Sequence, residues 1–111
     1  MVGFEKNGDI SIFTIRGTEL SEKTGVFLRK MLENVANQGE LKKVILDLGK
    51  VELADTHGVA ALIAALKKVD EKEGNIRVVS TKKKLRKIFG IIKLDCIFPV
   101  YASLTSAMKS F

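Results

Sequence analysis

Hydrophobic residues recur along this chain with two spacings, one typical of β-strands and one typical of α-helices. The first two strand-like runs are separated by the turn signal Asn7-Gly8-Asp9, which predicts an antiparallel hairpin. A later run, 44–48, is almost wholly apolar, as expected of a central strand covered by helices on both faces. The last run contains Pro99, whose missing amide is tolerated in an edge strand. The five predicted strands are 2–6, 10–16, 44–48, 76–80 and 97–101.

Four other segments carry apolar residues at helical spacing. The first predicted helix follows Ser21, a suitable N-cap residue, and ends near Gly39. The others cover 57–72, 82–92 and a short final segment that begins near Leu104. In the second helix, alanines allow close packing on the sheet. These alanines are Ala60, Ala61, Ala64 and Ala65. Across the first three helices, the larger residues predicted to face the core are Phe27, Leu28, Met31, Leu32, Val35, Leu62, Ile63, Leu66, Val69, Leu85, Ile88, Phe89 and Ile92.

The order of these elements, β-β-α-β-α-β-α-β-α, predicts an α/β fold. We expect a mixed, mostly parallel sheet of about five strands with four helices packed on it and right-handed crossovers. At 111 residues, the chain is long enough for one core and too short for two, so residues 1–111 are expected to form a single domain. Ligands and partners of such folds tend to meet the carboxyl ends of the strands.

The amino-acid composition argues against several classes of protein. The sequence has no apolar run of bilayer-spanning length and no signal peptide pattern, so we expect a cytoplasmic protein without membrane insertion. With one cysteine and one histidine, neither an internal disulfide nor a structural zinc site is expected. Cys96 lies in an apolar segment, which predicts a buried, inert thiol.

The net charge of +6 favours an acidic partner or a nucleic acid. Much of the excess lies in the run Lys82-Lys83-Lys84-Leu85-Arg86-Lys87. Because apolar residues recur at helical spacing behind this run, it is interpreted as one solvated helix face. No nucleic-acid motif or exposed aromatic series accompanies it, so direct nucleic-acid binding is not expected.

The candidate functional site is the corner Asp55-Thr56-His57-Gly58, where an apolar strand pattern turns into the alanine-rich helix. Asp55 or Thr56 can cap that helix, and the free amides of its first turn form a small positive pole. A phosphate on Thr56 would meet those amides but would add about −1.5 to −2 charges beside Asp55, so the corner could act as a charge switch. Gly58 would let another backbone approach. The simpler alternative is a helix cap without further function.

Several segments together resemble the STAS family, which includes the bacterial anti-sigma factor antagonists. The resemblance covers essentially the whole chain and implies the same order of strands and helices. The segments that carry it are Val44-Ile45-Leu46-Asp47-Leu48, Val51, Asp55-Thr56-His57-Gly58-Val59, Gly74-Asn75-Ile76-Arg77-Val78-Val79 and Leu94-Asp95-Cys96-Ile97-Phe98-Pro99-Val100-Tyr101.

The resemblance implies a binding module switched by phosphorylation. In the family, the hydroxyl directly after the corner aspartate is phosphorylated by an anti-sigma factor that is itself a serine/threonine kinase. Thr56 would then be the phosphoacceptor, and Asp55, Thr56, His57 and Gly58 would contact the partner. Unphosphorylated protein would bind the anti-sigma factor and free a sigma factor, and a phosphatase would reset Thr56. The kinase brings the ATP, so no cofactor, metal or catalytic residue is expected in this chain.

The chain departs from the family pattern at three places. Thr56 stands where serine is usual, and His57 replaces a second hydroxyl residue. The segment Gly17-Thr18-Glu19-Leu20 differs from the usual Gly-Glu/Asp-Leu/Ile-Asp, which lies beside the corner in the family fold. Other hypotheses therefore stay open: a STAS subunit of a transporter complex, an unphosphorylated scaffold of a sensory assembly, and an enzyme that uses Asp55, Thr56 and His57.

Overall fold

A five-stranded sheet forms the centre of the computed structural model, which describes residues 2–39, 42–71 and 73–111. The strand order is β1-β2-β4-β6-β7. The first pair is antiparallel, and every other neighbouring pair is parallel, so the predicted mixed, mostly parallel sheet is confirmed. The strands of this sheet are β1 Val2–Asn7, β2 Ile10–Ile15, β4 Lys43–Asp47, β6 Asn75–Val79 and β7 Val100–Tyr101.

Helices cover both faces of this sheet, as the apolar run at β4 predicts. Side chains of a strand alternate between the two faces, and Val44 and Leu46 accordingly lie in the large core while Ile45 lies in a smaller one. Helices α1, α2 and α3 supply the large core, and α4 supplies the smaller one through Ala107. The helices are α1 Glu22–Asn37, α2 Thr56–Glu71, α3 Lys83–Ile91 and α4 Leu104–Lys109, with a 3-10 turn at Leu94–Cys96.

A second, two-stranded parallel sheet is absent from the prediction. It pairs β3, Glu19–Leu20, with β5, Leu53–Ala54. The two strands have only two residues each, too few for alternation to be seen in the sequence. Strand β3 directly precedes α1 and β5 directly precedes α2, so this small sheet brings the starts of the two helices side by side.

Helices α1 and α2 approach closely because each has a small residue at the contact. A Cβ added to Gly25 would collide with the side chain of Ala61. The predicted close packing of the alanines is thus directed partly at α1, while Ala60 is exposed. Ser21 caps α1 as predicted, since its Oγ accepts from the Thr24 amide at 3.3 Å.

The prediction that Phe27 faces the core is wrong, because its side chain is 46% exposed. Thr24 and Leu28 lie four residues apart on the buried stripe of α1, and Leu32 continues it. Phe27 is one residue, about 100° of helical rotation, away from the middle of that stripe. The buried stripe of α1 therefore passes through the small residues Thr24 and Gly25 and leaves the Phe27 ring at its side.

The predicted burial of Cys96 is also wrong, and the predicted strand at 97–101 is shorter. Cys96 and Ile97 are exposed. The amides of Ile97 and Phe98 both donate to the carbonyl of Leu94, at 3.0 and 2.9 Å. This tight turn buries Leu94 and Phe98 and directs the residues between them outward. Ile92, directly after α3, is likewise 41% exposed rather than in the core.

None of the helices in the part of the chain that the structure describes combines the length and the apolar character needed to cross a membrane.

Candidate functional site

The corner at residues 55–58 joins β5 to α2 at the carboxyl ends of the strands. Asp55 is the N-cap of α2, because its Oδ1 accepts a hydrogen bond from the Gly58 amide at 2.6 Å. Its own carbonyl accepts from the Val59 amide at 3.0 Å, which is the first regular bond of the helix. The sequence left the choice of cap between Asp55 and Thr56 open, and the structure places Thr56 as the first helical residue instead.

Gly58 is buried against the backbone of β3. A Cβ at this position would collide with the Leu20 carbonyl oxygen, which confirms the prediction that Gly58 lets another backbone approach. The same carbonyl accepts from the Asp55 amide at 3.3 Å. Leu20 therefore holds both the cap residue and the third residue of the helix, and Gly58 positions the corner from inside the protein.

The side chains of Asp55, Thr56 and His57 are all exposed. At a helix start, the first amides lack intrahelical acceptors. Because Asp55 already accepts from Gly58 through its carboxylate and from Val59 through its carbonyl, the amides of Thr56 and His57 are the ones directed out of the helix end. The surface thus presents a hydroxyl, an imidazole and a carboxylate around the positive end of α2.

A shallow depression of 530 Å³ lies between this corner and the first turn of α1. Its contributors from the corner are Asp55 and His57. Lys23 and Glu22 bring opposite charges, and Val26 adds an apolar wall. Ser21 completes the lining. Sequence reasoning did not assign the start of α1 to the site, although the resemblance placed the neighbouring segment 17–20 beside the corner, and the pairing of β3 with β5 confirms that placement.

The chemistry available at the corner is that of a phosphoacceptor or a docking surface. Thr56 carries its hydroxyl at an exposed helix start, while the Asp55 carboxylate is already engaged by the Gly58 amide. Within the described residues, no group of three or more His, Cys, Asp or Glu side chains is arranged to hold a metal ion. The only histidine of the chain is His57, so a second imidazole cannot take part.

Comparison with known proteins gives a consistent assignment. The sequence model of the STAS domain matches residues 2–107. A protein of Thermotoga maritima, provisionally named an anti-sigma factor antagonist, is 25% identical over 88 residues, which cover 79% of this chain and 77% of that protein.

Solved structures show the same fold. The crystal structure of a provisionally named anti-sigma factor antagonist from Thermotoga maritima has a TM-score of 0.85 at 23% identity, with 98% of this chain and 92% of that chain covered. The phosphorylated form of SpoIIAA, a cell fate determinant of Bacillus, has a TM-score of 0.73 at 15% identity and covers 99% of this chain and 98% of its own. These likenesses establish the shape of the domain.

Proposed function

The chain belongs to the STAS domain family, and from this premise we propose that it is an anti-sigma factor antagonist whose binding is switched at Thr56. In this proposal, the unphosphorylated protein binds an anti-sigma factor with serine/threonine kinase activity and so frees a sigma factor. Phosphorylation of Thr56 by that kinase releases the complex, and a phosphatase restores the binding form. Asp55, Thr56 and His57 form the contact surface, and Gly58 holds it in place.

The observation that carries the proposal is the position of Thr56. Its hydroxyl is exposed on the first residue of α2, at a corner made rigid by the Asp55 cap and by the buried Gly58. A kinase can reach such a hydroxyl without unfolding any part of the domain. A SpoIIAA structure with this fold exists in a phosphorylated form, which supports a phosphoacceptor on this scaffold.

Electrostatics explains how one phosphate could reverse binding. The group adds about −1.5 to −2 charges and three acceptor oxygens. The outward amides of Thr56 and His57 and the positive end of α2 stabilise it. At a docked surface, however, the dianion stands next to the Asp55 carboxylate and must lose water on binding, so it opposes the complex by repulsion and desolvation. The nucleotide belongs to the kinase, and the antagonist itself needs no cofactor.

The test is mass spectrometry of the intact protein and its peptides after incubation with ATP and extract from its own cells. We expect one added phosphate on Thr56, none in Thr56→Ala, and transfer restored in Thr56→Ser. Thr105 provides a matched control because it is also exposed in the first turn of a helix, α4, so Thr105→Ala should accept phosphate like the wild type.

Binding gives a second readout of the switch. Thr56→Glu should weaken the complex with the anti-sigma factor while the fold is retained, and Thr56→Ala should keep full affinity. Equal affinities for the wild type, Thr56→Ala and Thr56→Glu would contradict the switch. If an extract with verified kinase activity leaves Thr56 unmodified, a transporter subunit or an unphosphorylated scaffold replaces the proposal, and co-purification with membrane ATPase subunits separates those two.

A further inference from the structure

A second depression, of 430 Å³, borders the strand that leads into the corner. Its lining is formed on one side by Glu52 and Leu53, the latter 47% exposed, and on the other by Thr81 and the run Lys82, Lys83 and Lys84. Every one of these residues is exposed. The lining contains three lysines and a single glutamate, so the depression carries net positive charge, and Leu53 adds an apolar side chain to it.

The two walls are held in fixed positions by hydrogen bonds. The Thr81 hydroxyl donates to the Gly49 carbonyl at 2.6 Å, and the Gly49 amide donates to Asp47 Oδ1 at 2.8 Å. The Glu52 amide donates to the Thr18 carbonyl at 2.8 Å. Helix α3 also packs against β5. The depression is therefore a formed surface before any partner arrives.

The lysines occupy an electrostatically unfavourable place. Lys82 is the N-cap residue of α3 and makes no side-chain capping bond, and Lys83 and Lys84 follow in a first turn that contains no acidic residue. The start of a helix favours anions and repels cations. Here, the positive end of α3 and three lysines add their fields instead of cancelling them. A carboxylate from outside would relieve this repulsion.

We propose that this depression is the second half of the docking surface for the anti-sigma factor, and that it receives an acidic segment of that partner with an apolar side chain seated on Leu53. The inference rests on the proposed function, because it names the chemistry of the same partner. Leu53 lies two residues before Asp55, so one partner surface can cover both places. A nucleic acid fits less well, since Glu52 and Leu53 form one wall and no aromatic side chain lines the depression.

The experiment measures the affinity of the purified anti-sigma factor for matched variants. That partner is first isolated from its own cells with Thr56→Ala as bait and is then produced pure. The test variant combines Lys82→Glu, Lys83→Glu and Lys84→Glu. Its control makes the same change in net charge at exposed lysines on three other helices, by Lys30→Glu, Lys67→Glu and Lys109→Glu.

We expect the test variant to lose about tenfold or more in affinity, because close like charges oppose docking, while the control keeps wild-type affinity within about twofold. The wild-type complex should also weaken more with added salt than the complex of the test variant. Leu53→Ala should lose a smaller factor. Thermal unfolding checks that the variants are folded. The test variant should be at least as stable as the wild type, because a negative charge is favourable at the start of α3.

The outcomes separate this inference from the switch. Loss of affinity in both lysine variants alike, or in neither, overturns the docking surface, and the switch still stands if Thr56→Glu abolishes binding. Loss confined to the test variant, with Thr56→Glu binding like the wild type, supports the surface and overturns the switch. If no anti-sigma factor binds the Thr56→Ala variant, both proposals fail. Lysine-dependent binding to anionic vesicles or DNA, with partner affinity unchanged, also overturns the docking surface.

Discussion

Two helices, α2 and α3, begin at the same edge of the sheet but start in opposite ways. Helix α2 is capped by the Asp55 carboxylate, and its third residue, Gly58, is buried against β3. Helix α3 follows an N-cap residue, Lys82, that makes no side-chain capping bond, and the helix begins with the exposed Lys83 and Lys84 before the buried Leu85. One start is stabilised by local bonds and packing. The other is left with uncompensated positive charge.

The difference indicates that the starts of α2 and α3 have different roles at this edge of the sheet. The start of α2 must keep a single geometry for a hydroxyl to be presented to an enzyme, and its cap and its glycine provide that geometry. The start of α3 needs no fixed side-chain arrangement to attract an acidic surface, because long-range attraction depends mainly on charge. Stability measurements on matched variants of the two helix starts test this difference.

The largest effect is expected from Gly58→Ala. A methyl group here collides with the Leu20 carbonyl, so the corner or β3 must shift, at a cost of about 3 kcal/mol in the free energy of unfolding. Urea titration measures the change. Gly90→Ala in α3 is the matched control, since its added Cβ meets only Asp95 Oδ2 at 4.0 Å, and it should instead stabilise by about 0.5–1 kcal/mol. Equal effects would show that the burial of Gly58 is unimportant.

Next is Asp55→Ala, which removes the cap of α2. The short bond to the Gly58 amide involves a charged acceptor, so we expect a loss of about 1.5 kcal/mol in the free energy of unfolding. Asp55→Asn keeps an oxygen in the same place and should retain most of the stability. If both variants unfold at the same urea concentration as the wild type, the cap does not hold the corner.

A gain of about 1 kcal/mol is expected from Lys82→Asp, which gives α3 the kind of cap that α2 has. The backbone of Lys82 is extended, at φ −84° and ψ 123°, as an N-cap residue requires. Lys82→Ala removes the charge without supplying an acceptor and is expected to change stability by only a few tenths of a kcal/mol. Thermal unfolding compares the stability of the wild type and the two variants. A Lys82→Asp variant less stable than the wild type would contradict the interpretation that α3 lacks a stabilising cap.

The smallest effect is predicted for Lys84→Glu. An anion in the first turn of α3 replaces a cation, which should stabilise by about 0.5 kcal/mol at low salt and less at high salt. Lys87→Glu, one turn later on the same helix, should gain less because the effect falls off after the first turn. Calorimetry at two salt concentrations measures both. A salt-independent gain would assign the effect to helix propensity instead.

Hydrophobic periodicity was sufficient to predict the main strands and helices. It was insufficient to predict features that depend on which other elements pack against a residue. The central strand at 44–48 is visible as an apolar run because helices cover both of its faces, and α2 is visible because its buried residues recur at helical spacing. Strands β3 and β5 have two residues each and form only because these two segments, which are distant in sequence, pair with each other in the folded protein, with Leu20 opposite Ala54. The exposure of Phe27 and Cys96 likewise depends on which neighbouring elements reach them, and that information is not local.

The site divides in the same way. The sequence alone determined where the corner lies and which hydroxyl follows its aspartate, because capping and glycine requirements act over a few neighbouring residues. The folded structure was needed to show that Asp55 is the cap, that Leu20 lies over Gly58, and that Leu53 lines one depression with the lysines of α3. The contacts of Leu20 and Leu53 join segments that are far apart along the chain, and their geometry is fixed by packing rather than by local preference.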